Sequence, residues 1–272
     1  MTVAPRLCDG CGYAAGSDFH KAACLHRYIV APGGEPMPGA TTIAGFGDAG
    51  EGLKFGAAKL TAEIAVQESH HREDFDSLDA YQGWLAKEFD VRWKQKADLG
   101  TRVHDHALAW SQGKEIDSHF DEDPYLDALE RFYADEVVEW IACERIVGSP
   151  THGYGGRADW WAELRSYGPT LGDWKTGARK YSVLKDSLQL TGLNDAEGFV
   201  LHDRDGMVAD EVEPLPSVNA LLNVYLLPSG EYEVYPTPLN DPDLTDAFRA
   251  LCAGYHARRR AVARLKREGY QL

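Results

Sequence analysis

The spacing of apolar positions changes along the chain, and that change divides it in two. From Gly56 onward, Leu60, Ile64 and Gln67 fall at helical spacing with Ala and Val beside them. This is the period of one face of a helix. Ser77 stands as an N-cap ahead of Leu78, Tyr81, Leu85, Phe89 and Trp93, which recur at three- and four-residue steps and predict a helix over 77–95. A further helix is expected around 101–112. Another is expected over about 125–139, where Leu126, Leu129, Phe132 and Tyr133 share one face and acids the other.

The texture then shifts to short apolar segments separated by turn signals. Residues 138–147, 156–164 and 169–175 read as strands, the last two joined by the turn-like Arg165-Ser166-Tyr167-Gly168. Residues 182–197 return to helical spacing. Residues 217–227 and 231–236 read as a hairpin around Pro228-Ser229-Gly230. Residues 243–267 read as a terminal helix capped by Asp241 or Asp243 beside Pro242. This order predicts a mixed α/β core behind a helical N-terminal half. Ahead of it lie a Cys/His-rich head (1–30) and a Gly/Pro-rich linker or loop (31–54), leaving one domain over 55–272. No internal repeat or low-complexity segment interrupts it.

Composition agrees with a folded chain. At 272 residues, with 44% hydrophobic and 26% charged, it can bury a core and is not broadly disordered. Its longest apolar runs fall far short of the roughly 18–20 residues that span a bilayer. The start, MTVAPRLCDGCGY, lacks the apolar stretch of a signal peptide. A cytoplasmic protein with no membrane partner is expected.

The formal net charge of −15 argues at first against nucleic acid, because phosphate binding needs a basic surface. The charge is segregated, however. Residues 115–144 carry eleven acids against one base, Arg131, whereas 258–267 carry six bases (Arg258, Arg259, Arg260, Arg264, Lys266, Arg267) and no acid. The average hides a basic terminal helix.

Three of five cysteines crowd the head. Cys8-Asp9-Gly10-Cys11 is a C-x2-C knuckle, followed by His20 and Cys24, with His26 a rival for the fourth position. A Cys3His set suits a tetrahedral structural Zn²⁺, which would let a short, apolar-poor segment fold.

The most informative tripeptide is Asp173-Trp174-Lys175. In a strand, residues i and i+2 face the same side. The carboxylate and the ammonium therefore project together, an arrangement able to hold a divalent cation and position a water. Taken alone, an Asp–Lys pair is common on surfaces and contributes little. Its surroundings add weight. Gly155-Gly156-Arg157-Ala158-Asp159 brings a second acid into a strand through two glycines, and Glu144 sits in an apolar strand, where an unpaired acid is expensive.

The run Glu144 … Gly156-Arg157-Ala158-Asp159 … Asp173-Trp174-Lys175-Thr176-Gly177 … Gln189-Leu190 resembles the PD-(D/E)xK nuclease superfamily. It is most similar to the RecB-type branch, which includes phage and CRISPR-associated exonucleases. Gly100-Thr101-Arg102-Val103-His104 fits the histidine element of that branch, so the resemblance spans about residues 100–195. It implies a restriction-endonuclease-like α/β fold and metal-dependent hydrolysis of DNA. His104, Asp159, Asp173 and the backbone carbonyl of Trp174 would hold Mg²⁺ or Mn²⁺. Lys175 would be the catalytic lysine, Glu144 the acid preceding the hairpin, and Gln189 a catalytic-site residue of the following helix. The helix pattern usually continues to a tyrosine, and here Leu193 or Asn194 stands in its place. The iron–sulfur cluster of some relatives needs three cysteines after the core, where this chain has only Cys252.

Arg157, Arg179, Lys180, Tyr181 and Lys185 flank these elements and are expected to meet the DNA backbone. Trp160, Trp161 and Trp174 suit either a core or base stacking. A setting in recombination, repair or replication, with protein partners there, is the biological expectation. Two alternatives remain. One is a non-catalytic nucleic-acid-binding or assembly protein with an inactive nuclease fold. The other is a His-Asp metal phosphohydrolase using His104-Asp105-His106 with His70-His71, which would leave the strand-borne D-x-K unexplained.

Overall fold

A computed structural model describes residues 27–46, 51–177, 183–203 and 206–271. The expected zinc ligands Cys8, Cys11, His20 and Cys24, and the expected DNA contacts Arg179, Lys180 and Tyr181, lie outside the described residues. The elements run α1 (Ala40–Phe46), α2 (Glu51–Gln67), a 3₁₀ turn (Ser69–Asp74), α3 (Leu78–Ser111), α4 (Asp123–Glu136), β1 (Val137–Ser149), β2 (Tyr154–Leu164), β3 (Gly168–Thr176), α5 (Val183–Asn194), β4 (Gly198–His202), β5 (Val208–Glu213), β6 (Ala220–Leu226), β7 (Tyr232–Thr237) and α6 (Pro242–Arg267). Seven strands form one mixed sheet in the order β5-β4-β1-β2-β3-β6-β7. Among the described strand pairs of this sheet, β3–β6 alone is parallel, as its crossover through α5 requires.

Helices cover both faces of the sheet. On one, Ala40, Ile43 and Ala44 of α1, Leu188, Leu190 and Leu193 of α5, and Phe248 and Cys252 of α6 pack on Val147, Tyr154, Ala158, Trp161, Leu171 and Leu221. On the other, Val103 and Ala107 of α3 and Leu126, Leu129 and Phe132 of α4 pack on Trp160, Ala162, Leu164, Trp174, Leu222 and Val224. Trp160, Trp161 and Trp174 are therefore core residues and not stacking platforms.

Three differences from the expected elements have physical causes. The stretch 31–54, expected as a linker or loop, contains α1, in which Ala40, Ile43 and Ala44 are fully buried. Just ahead of it the chain crosses β2, where Gly39 bridges to Gly155 and the Gly155 amide donates to the Pro38 carbonyl at 3.0 Å. A Cβ on Gly155 would lie 2.6 Å from Tyr28 Cβ, so the N-terminal segment can cross β2 only over glycine. The helices expected over 77–95 and 101–112 are one 34-residue helix, α3, capped by Ser77 Oγ, which accepts the Ala80 amide at 3.1 Å. Gly100 does not break it. A Cβ there would stand 3.3 Å from Thr176 Oγ1, so the glycine lets α3 approach the end of β3. Finally, β4 and β5 were not foreseen. They extend the sheet on the β1 side, where β1 and β4 pair only at Val147–Phe199 and Gly148–Gly198.

No helix among the described residues is long and apolar enough to cross a membrane.

Candidate active site

The site forms where β2 parts from β3, beside β1. The β2–β3 ladder runs from Leu164–Gly168 to Trp160–Gly172 and stops there. Beyond it the Trp174 amide donates to Asp159 Oδ2 at 2.7 Å, so a carboxylate continues the ladder in place of a backbone carbonyl. Strict alternation also fails here. Ala158 and Trp161 pack under α5, whereas Trp160 packs on the α3–α4 side, so β2 changes inward parity at Asp159. On β1, Glu144 has φ 50°, a left-handed backbone rare for a side chain of its size. It stands between Cys143 and Arg145, which pair with Trp160 and Ala158. Glu144 and Asp159 thus face each other across two disturbed strands.

His104 reaches this gap from α3. Its Nδ1 is 3.5 Å from Asp159 Oδ2 and 4.0 Å from Glu144 Oε1. One ligand atom from each of His104, Glu144 and Asp159 lies within 4.8 Å of the others. Glu144 Oε2 also pairs with Arg157 Nε at 2.8 Å. On β3, Asp173 is buried. Its Oδ2 pairs with Lys175, and its Oδ1 accepts from Gln189 Nε2 at 2.7 Å. Lys175 also donates to Gln189 Oε1 at 3.3 Å and lies 4.0 Å from Asp186 Oδ1. Tyr225 on β6 donates to Asp186 Oδ2 at 2.5 Å.

The electrostatics follow from burying four acids beside three basic groups. Burial, and then neighbouring Asp159, push Glu144 up to about 7 against the pull of Arg157. Burial pushes Asp173 up to about 6, although Lys175 opposes it. Burial would also raise Asp159, but His104 and Lys175 outweigh it and hold this carboxyl below its ordinary value. Burial would lower His104, yet Asp159 and its neighbours carry it up to about 9. Lys175 is likewise raised, because Asp173 and Asp186 outweigh its own burial. The pocket is short of positive charge.

The sequence-predicted residues Glu144, Asp159, Asp173, Lys175, Gln189 and His104 therefore meet. Trp174 is tied to the site through its amide, which donates to Asp159 Oδ2, and in an extended strand the carbonyl of the same residue faces the same edge. Arg157 is more than half exposed at the rim. Lys185 lies in the first turn of α5 beside α1. Asp186 was missed, although Lys175 and Tyr225 both reach it. A carboxylate in the first turn of a helix reads as dipole complementation, which gave no reason to single it out. His70 and His71 are not brought to this site. His71 packs against Trp84, twenty positions before His104 on α3 and hence ~30 Å away along its axis. His106 points elsewhere too, bonding to buried Glu122 at 2.9 Å.

No protein-family profile matches the chain, and no curated protein matches it.

Proposed function

We propose that the chain is a divalent-metal-dependent deoxyribonuclease of the PD-(D/E)xK type, acting as an exonuclease in DNA processing. The observation that carries the reading is the convergence of Asp173, Lys175 and Gln189 with Asp159, Glu144 and His104 at one parting of the sheet. Residues 144 to 189 reach it from three adjacent strands and a helix, in the order that the resemblance requires.

The donor set fits Mg²⁺ or Mn²⁺. Oxygen donors from Glu144 and Asp159 with one imidazole suit a hard, octahedral cation, and the surplus of buried negative charge favours one. His104, Glu144 and Asp159 would hold it, with Asp173 alongside. A bound ion supplies Lewis acidity at the phosphate and a water of lowered pKa. The chain's own residues do the rest. Asp173, Asp186 and Gln189 fix the Lys175 ammonium, and the raised pKa keeps it charged. Lys175 is thus suited to orient the attacking water and offset phosphate charge, and not to take a proton. Arg157 at the rim would meet a flanking phosphate.

The test is digestion of end-labelled linear DNA and of closed circles with Mg²⁺ or Mn²⁺. Metal-dependent loss of linear DNA alone, abolished in Lys175→Ala, is expected. Cleavage of circles would overturn the exonuclease reading. Failure to degrade either substrate with either ion would leave a nucleic-acid-binding or assembly protein instead.

A further inference from the structure

The turn between α2 and α3 holds a second group of metal-ligating side chains, far from the site above. Ligand atoms of Glu68, His70 and His71 all lie within 4.8 Å of one another. The orientation of the two imidazoles says more than their proximity. His70 Nδ1 lies 3.1 Å from the Gln67 carbonyl, and His71 Nδ1 lies 2.7 Å from Asp74 Oδ2. A carbonyl and a carboxylate only accept, so each Nδ1 carries the proton. In the neutral ring each Nε2 then presents a lone pair. This is how metal-bound histidines are held, with one nitrogen donating to an oxygen and the other free to ligate. The ring centroids stand 4.1 Å apart, with the planes tilted by 40°. Glu68 is likewise divided. Its Oε1 is taken by Arg92, and its Oε2 faces His71 Nε2 at 3.7 Å.

We infer that Glu68, His70 and His71 form a site for an imidazole-preferring divalent transition metal, Zn²⁺ above all, with water completing the shell. Two imidazoles and a carboxylate are an open zinc ligand set. The imidazole majority selects against Mg²⁺. Arg92 is the charge that opposes the metal. It is also held by Glu88 at 2.8 Å and by Gln67 at 2.7 Å, so three acceptors share its charge. The 3₁₀ turn from Ser69 to Asp74 provides the geometry. With three residues per turn it sets His71 and Asp74 above one another, which lets the carboxylate brace the ring. The site is independent of the nuclease reading, and its failure would leave that reading untouched.

The test uses the full, untagged chain stripped with EDTA. It is dialysed against Zn²⁺ alone, and bound metal is counted by mass spectrometry. Comparing variants subtracts any zinc held elsewhere. Wild type should retain one equivalent more than His70→Ala/His71→Ala, which removes one exposed and one half-exposed side chain. Asp74→Asn, which leaves all three ligands in place, should weaken this equivalent roughly 10–100-fold. Circular dichroism should be unchanged in both variants. Equal zinc retention by wild type and the double variant would overturn the inference. So would an Asp74→Asn protein that binds this equivalent with wild-type affinity.

Discussion

Gly172→Ala tests the architecture beneath the active site. Gly172 precedes Asp173 and pairs across the ladder with Trp160, the neighbour of Asp159. A Cβ on Gly172 would fall 1.8 Å from Trp160 Cζ2, 2.1 Å from Cη2 and 2.2 Å from Cε2. Ordinary carbon contacts lie near 3.5–4.0 Å, so the indole would have to retreat by well over 1 Å. It has nowhere to go. Trp160 is fully buried, and its ring is flanked by Trp174 at 5.2 Å, Phe132 at 5.8 Å and Trp140 at 6.1 Å. Overpacking of this kind costs roughly 1–3 kcal/mol and at times more. At about 2–4 °C per kcal/mol for a chain of this size, a cost at the upper end lowers the melting temperature by roughly 6–12 °C. Gly83→Ala serves as the control in the same thermal and urea denaturation series. Gly83 lies exposed within α3 with nothing near its Cβ position, so alanine there should stabilise by about 0.5–1 kcal/mol. Trp160→Phe should relieve part of the Gly172→Ala cost in the double variant. A Gly172→Ala protein melting with wild type would refute the packing described for β2 and β3.

Other predictions concern charge. Asp173→Asn should abolish cleavage yet stabilise the metal-free protein. A carboxyl raised to about 6 by burial destabilises the fold as pH rises from its ordinary value near 3.8 through 6, and asparagine removes that loss. The advantage in urea denaturation with EDTA should therefore grow between pH 4 and 6 and level off above; a pH-independent difference would contradict it. Glu122 behaves in the opposite sense. Burial opposes its charge, but Arg102, the His119 amide and His106 hold its pKa below the ordinary 4.5. Its contribution is present above that value and is lost as pH falls through the lowered one. The stability gap between wild type and Glu122→Gln should close on acidification, and a gap that widens would count against the network. Arg157→Ala should weaken DNA binding with a salt slope lower by about one, measured by anisotropy across a salt series, since it removes one phosphate contact. An unchanged slope would place Arg157 off the DNA path.

The sequence by itself determined the elements whose burial is one-sided and regular. The 3.6 spacing of Leu126, Leu129 and Phe132 and the short apolar runs of β1 to β3 carry their own period. So did the placement of Asp173 and Lys175 on one strand face, because that follows from the pleat alone. Elements stabilised by a neighbour were not legible. Helix α1 lies in a Gly/Pro-rich stretch and owes its position to burial of Ala40, Ile43 and Ala44 under α5 and α6. The two helices expected over 77–95 and 101–112 are one, and Gly100 within it admits Thr176 at the end of β3, a contact that local propensity does not record. Only the tertiary structure decided that β2 and β3 part after Trp160–Gly172, that Glu144 takes a left-handed backbone, and that Asp186 joins Lys175. Each of these depends on what lies across a strand or helix boundary, and a residue's own neighbours in the chain carry no record of it.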